Sequence, residues 1–162
     1  MTRRRQISVI GKGTPDENLT PLAEEVGRLL AEAGAVVVCG GLKGVMEGAA
    51  RGASEAGGTV IGIVPSSSQE EANPHCTHVI ATGVGYARNL AVVASGDAVI
   101  AIGGEWGTLS EIAHARDMGR PVVALRSWQV TGSGEMEGGP GIEAAADPAE
   151  AVHLALDHSA SG

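Results

Sequence analysis

Residues 102–112 read Ile-Gly-Gly-Glu-Trp-Gly-Thr-Leu-Ser-Glu-Ile, placing three glycines at the end of an apolar run and a carboxylate, Glu111, shortly after them. A carboxylate facing a cleft can stabilise a cationic, sugar-like transition state or activate water against it. The same residue also completes Thr108-Leu109-Ser110-Glu111, a capping-box spelling that closes a helix start. On spacing alone the cap is the stronger reading. The two roles are compatible, because a carboxylate at a helix start is expected to stay ionised in the field of the helix dipole. Arg88 is the second candidate: a planar, bidentate donor suited to phosphate or carboxylate. Its alternative is a surface ion pair with Asp97 or Glu111. Thr108 offers a hydroxyl to a phosphate as well as to the helix.

Glycines recur where such groups would act. Gly11-Lys12-Gly13-Thr14, Gly40-Gly41-Leu42-Lys43-Gly44 and Gly103-Gly104-Glu105-Trp106-Gly107 each follow a β-branched apolar run. In an open parallel sheet, ligands bind at the carboxyl ends of the strands. The second and third clusters also lead into helix starts, whose free N–H groups and partial positive charge hold phosphate. Three such turns at one sheet edge point to an anion-binding crevice. Its ligand-holding candidates are Gly11, Gly13, Gly40, Gly41, Gly44, Gly103, Gly104, Gly107 and Thr108, with Arg88 and Glu111 as catalytic candidates. No Walker A loop is present, and the Gly11-x-Gly13 pair lacks the third glycine of a dinucleotide fingerprint. A mononucleotide or another phosphorylated heterocycle remains as the ligand. Lys12 and Lys43 read as solvated rim residues and Met46 as core. Trp106, a bulky ring in a glycine turn, must lie on a heterocycle, a partner subunit or a lid. His75-Cys76-Thr77-His78 has no companion cluster and reads as a plain loop, with no metal site.

The positioning elements are short. Strands are expected at Ile7–Ile10, Val36–Cys39, Val60–Val64, His78–Ala81, Ala98–Ile102 and Val122–Leu125, with a weaker strand at Ile142–Ala145. Helices are expected at about Pro21–Ala33, Val45–Ala56, Tyr86–Ala94, Thr108–Met118 and Pro148–Leu156. The last opens on Asp147-Pro148-Ala149-Glu150, an Asp cap, a proline at the first helical position and Glu at the third. Continuous apolar strands alternating with helices imply an α/β fold: a doubly wound parallel sheet of about six or seven strands, with helices on both faces. Residues 1–162 are read as one domain. Pro65–Thr77 and Ser127–Gly141 are long polar loops, either lids or mobile surface.

Composition narrows the function. Apolar residues make up 43 % of the chain but aromatic ones only 2 %, so the core must be aliphatic. The net charge of −8 excludes a basic nucleic-acid stripe. Thr2-Arg3-Arg4-Arg5 reads as a solvated lead-in to the first strand. No apolar stretch has the length of a membrane span or follows the pattern of a signal peptide. Cys39 and Cys76 form no motif and suit a reducing cytoplasm.

These residues resemble the Lonely Guy family, often labelled lysine decarboxylase-like. The similarity lies in Gly40-Gly41-x-x-Gly44-Val45-Met46-x-Gly48, in Arg88, and in Gly103-Gly104-Glu105-Trp106-Gly107-Thr108-Leu109-Ser110-Glu111. It implies a Rossmann-like fold, a homodimer or higher homo-oligomer, and hydrolysis of the N-glycosidic bond of nucleoside 5′-monophosphates. A close branch, the molybdenum cofactor carrier proteins, is similar in fold and instead binds a phosphorylated pterin without catalysis. Three positions depart from the enzyme pattern: Gly103 stands for a proline, Glu105 for a glycine and Asn89 for a lysine. An Ile-Gly-Gly start is closer to the carrier branch. No cofactor is required by the enzyme reading, and a bound nucleotide, phosphate or molybdenum pterin is compatible with the crevice. Nothing resembles a pyridoxal-phosphate lysine site.

Overall fold

The computed structural model describes residues 3–130 and 141–160. Seven strands, β1 (Gln6–Gly11), β2 (Val36–Cys39), β3 (Val60–Val64), β4 (His78–Ala81), β5 (Ala98–Ile102), β6 (Val122–Leu125) and β7 (Ile142–Ala145), form one sheet. Every pairing is parallel, and the order across the sheet is β4-β3-β2-β1-β5-β6-β7. The helices are α1 (Thr20–Glu32), α2 (Val45–Glu55), α3 (Arg88–Ser95), α4 (Trp106–Asp117) and α5 (Pro148–Ala160).

The central strands are almost wholly apolar because both faces are covered; the buried exception, Ser8 of β1, donates its hydroxyl to the Val92 carbonyl at 2.6 Å. Val37 and Cys39 turn toward a cluster completed by α1, α2 and α5, including Val26, Leu30, Ala49, Ala53 and Ala155. Val38 turns the other way, toward Val92, Val93, Ile112 and Ala115 of α3 and α4. Small residues set the spacing: a side chain at Gly52 of α2 would collide with the Glu24 carbonyl of α1. The doubly wound α/β architecture follows from this division. It also fixes the site, because the strand order reverses between β1 and β5. Crossovers on the two sides of that point leave in opposite directions, opening a crevice beyond the carboxyl ends of the two strands.

Three boundaries differ from expectation in ways that matter. The expected helix at Tyr86 starts as a 3₁₀ turn over Gly85–Ala87, and α3 proper begins at Arg88. Helix α4 begins at Trp106, not Thr108, with Glu105 extended before it. Helix α5 runs on to Ala160, beyond the expected Leu156. The arginines before β1 are also not simply solvated. Arg3 pairs with Asp97 at 2.6 Å, and Arg5 donates to the Leu156 carbonyl at 3.1 Å, fastening the lead-in to the sheet and to α5. Asp97 is therefore taken by Arg3 and is not a partner of Arg88.

Candidate functional site

A cleft of about 380 Å³ lies at the switch point. Its apolar side comes from Val9 and Ile10 near the end of β1, Leu42 in the turn after β2, and Met46 on α2. Gly11, Lys12 and Gly13 form one rim, while Tyr86, Arg88 and Asn89 come from the start of α3. Glu105, Gly107, Thr108 and Glu111 come from the start of α4. The sequence candidates thus divide in two. Gly11, Gly13, Gly40, Arg88, Gly107, Thr108 and Glu111 line the cleft. Gly41, Gly44, Gly103 and Gly104 do not line it and instead shape the turns behind it, all with positive φ. Gly104 is the clearest case: at φ +108° a side chain would be strained, and it would fall on Thr108. Gly40 is needed for space, since a Cβ there would lie 2.6 Å from Met46 Sδ and 2.9 Å from Arg88 Nη2.

Arg88 is only 7 % exposed, although a guanidinium is rarely buried unless paired. Its Nη2 donates to the Gly40 carbonyl at 3.2 Å and its Nη1 to Asn89 Oδ1. Its Nε is buried and has no hydrogen-bond partner among the described residues. Burial lowers its affinity for the proton, opposed first by the charge of Glu111. Asn89, missed as a site residue by sequence reasoning, therefore holds the guanidinium in place. The only sequence signal was its occurrence where the related enzymes carry lysine.

Glu111 is 9 % exposed, and its carboxylate makes no hydrogen bond or ion pair among the described residues. The capping-box expectation fails. With Glu105 at the cap position, Thr108 is the third helical residue and Glu111 the sixth, and no side chain caps α4. Glu111 therefore lies beyond the first turn, where the dipole has faded and burial prevails. Its pKa is pushed up from 4.5 to about 7 by desolvation, with Arg88 pulling the other way. The expectation that it stays ionised is corrected: burial favours the protonated carboxyl far more than in an ordinary glutamate.

The start of α4 supplies the complementary groups. The amides of Trp106, Gly107 and Thr108 have no acceptor within the helix, whose first bond runs from Leu109 to the Glu105 carbonyl at 3.0 Å. Thr108 is a buried residue lining the cleft, and its hydroxyl makes no hydrogen bond among the described residues. Lys12 is not free in solvent: it pairs with Asp16 at 3.0 Å, which raises its pKa and partly neutralises the rim.

Both long loops touch the site's framework. Asn73 donates its backbone N–H to the Gly41 carbonyl at 2.7 Å and its side-chain amide to the Leu42 carbonyl at 2.9 Å. Ser127 bonds the Gly103 carbonyl at 2.5 Å, and Trp128 donates to the Glu105 carbonyl at 3.2 Å. Trp106 lies on Trp128, with ring centroids 5.2 Å apart, yet is 77 % exposed. Residues 131–140 of the second expected loop fall outside the described residues. No group of three or more metal-ligating side chains occurs among the described residues, and His78 is instead bonded to Thr77 at 3.0 Å. No helix among them is long and apolar enough to cross a membrane.

The profile of the SLOG cluster4 family matches residues 4–152. The chain belongs to that family. A protein of Archaeoglobus fulgidus is 46 % identical over 121 residues, covering 75 % of this chain and 80 % of its own. The molybdenum cofactor binding protein of the phototrophic bacterium Rippkaea orientalis superposes with a TM-score of 0.85 at 32 % identity, over 97 % of this chain and 98 % of its own. The molybdenum cofactor carrier protein of Chlamydomonas reinhardtii superposes with a TM-score of 0.85 at 33 % identity, over 98 % and 99 %. Membership of SLOG cluster4, with this structural likeness, narrows the Lonely Guy resemblance, which stands at the broader level of the superfamily.

Proposed function

We propose that this SLOG cluster4 protein is a binding or carrier protein for a phosphorylated heterocyclic cofactor, with the molybdenum pterin cofactor as its cargo, held in the switch-point cleft. The observation that carries this reading is Arg88, a buried cation lining the cleft whose Nε has no partner among the described residues. An orphaned buried donor is costly, and an anionic ligand group would satisfy it. The rest of the cleft fits such a ligand. The free amides at the start of α4 and the Thr108 hydroxyl suit a phosphate. Leu42 and Met46, both partly exposed at the cleft, offer apolar contact to a flat ring system. The likeness to molybdenum cofactor proteins supports the carrier over the hydrolase.

One feature favours a second reading, nucleoside 5′-monophosphate phosphoribohydrolase. Glu111 titrates near neutral pH, as a general acid or base should. Titration of the protein with a pterin phosphate and with AMP, GMP and CMP, while following free base, separates the two. The carrier reading expects saturable binding of the pterin and no base release. Base release that disappears in Glu111→Gln would replace it with the hydrolase, and binding of none of these ligands would remove both.

A further inference from the structure

The protein has two cysteines, 37 positions apart in sequence, and the fold brings them together. Cys39 ends β2 and is fully buried, while Cys76, in the loop before β4, is partly buried and packs against the same cluster. The register explains how. Cys39 is paired with Gly62 of β3, so the two residues point to the same side of the sheet. Gly62 has no side chain, and Cys76 occupies the space: a Cβ on Gly62 would lie 2.5 Å from Cys76 Sγ. The Cys76 side chain thus lies over the neighbouring strand, beside Cys39. We propose that Cys39 and Cys76 are a peroxide-sensitive dithiol that closes to a reversible intramolecular disulfide.

The electrostatics assign the roles. Cys39 lowers the pKa of Cys76, against desolvation by burial, and Asn73 lowers it further. Cys39 itself is pushed up, first by Cys76 and then by burial. Cys76 is therefore the attacking sulfur, being both more accessible and more readily ionised. Its thiolate attacks the O–O bond of hydrogen peroxide, forming a sulfenic acid and releasing hydroxide, which takes up a proton as water. The Cys39 sulfur then displaces the sulfenic hydroxyl, which leaves with the Cys39 proton as a second water. Two thiols lose two electrons, and the peroxide is reduced to two waters.

The bond would reach the ligand cleft. Cys76 follows Asn73, which holds the carbonyls of Gly41 and Leu42, and Cys39 precedes Gly40, which holds Arg88. Closing the disulfide joins both supports of the β2 turn covalently.

The test treats the full-length reduced protein with hydrogen peroxide, alkylates remaining thiols, and measures intact mass and non-reducing peptide maps. The expected product has lost two hydrogens per chain, takes up no alkylating agent, links the peptides containing residues 39 and 76, and returns to the dithiol with a reductant. Cys39→Ala should stop at an oxidised, trappable Cys76, and Cys76→Ser should not react. Gly62→Ala keeps both thiols but displaces Cys76, so its cross-linking should slow several-fold. Two thiols that remain alkylatable after peroxide, or disulfides formed only between chains, would overturn the proposal.

Discussion

Two helix starts in this protein are spelled alike and behave oppositely. At α5, Asp147 accepts from the Glu150 amide at 2.9 Å and Glu150 accepts from the Ala146 amide at 2.7 Å, a reciprocal cap in exposed positions. At α4, Thr108 and Glu111 have the same spacing, yet neither caps anything. Both are buried against the cleft. The glycine turn after β5 lets the helix begin two residues early, which moves Glu111 past the end and turns it into the pocket. A carboxylate that satisfies backbone donors contributes to stability. One that is buried with no hydrogen bond lowers stability, and a ligand is what could compensate it.

The largest expected effect is on the pH dependence of folding. Glu111 has a folded pKa of about 7 against an ordinary value of 4.5, so between those values the folded state binds more protons than the unfolded state. Stability contributed through this group is therefore highest below about pH 4.5, falls as pH rises to about 7, and is flat above it. The total is on the order of 3 kcal/mol. Glu111→Gln should remove that slope in denaturant titrations across this range, whereas Glu150→Gln should leave it. An unchanged slope in Glu111→Gln would mean that the carboxylate is not desolvated.

Next in size is ligand affinity. Arg88→Gln should weaken binding of a phosphorylated ligand by roughly 10- to 100-fold, the range for losing charged hydrogen bonds. Isothermal titration at fixed salt would measure it. The same titration should tighten below pH 7 in the wild type, where protonation of Glu111 makes the cleft more positive. In Glu111→Gln that dependence should vanish.

A smaller effect separates the caps. Asp147→Ala should cost about 1 kcal/mol, or roughly 2–4 °C in melting temperature, because a real cap is lost. Thr108→Val should leave the melting temperature nearly unchanged, since no cap is lost, and weaken phosphate binding only by several-fold. A Thr108→Val variant that melts as low as Asp147→Ala would erase the contrast between the two helix starts.

The sequence carried the sheet almost residue by residue. β2 to β7 have the expected limits, because runs such as Val36–Cys39 and Ala98–Ile102 are apolar on both faces and cannot be mistaken for amphipathic helices. The position of the cleft was legible too, since glycines gathered after β1, β2 and β5. Helices α2 and α5 begin as expected at Val45 and Pro148, but the start of α4 was not legible, because a positive φ at Gly103 and Gly104 decides where it begins and no local spelling records it. The ionisation of Glu111 was misread for the same reason. The role of Asn73 and the meeting of Cys39 with Cys76 depend on contacts between distant segments, which spacing along the chain does not encode.

The most direct measurement is the small-molecule content of the purified protein: denature it, recover the supernatant, and assay phosphorus and mass. The account predicts a phosphorylated heterocycle recovered from the wild type and strongly depleted from Arg88→Gln at equal folded yield. Recovery of the same compound in the same amount from Arg88→Gln, or failure of the wild type to retain any phosphorylated compound even after incubation with a pterin phosphate, would contradict it.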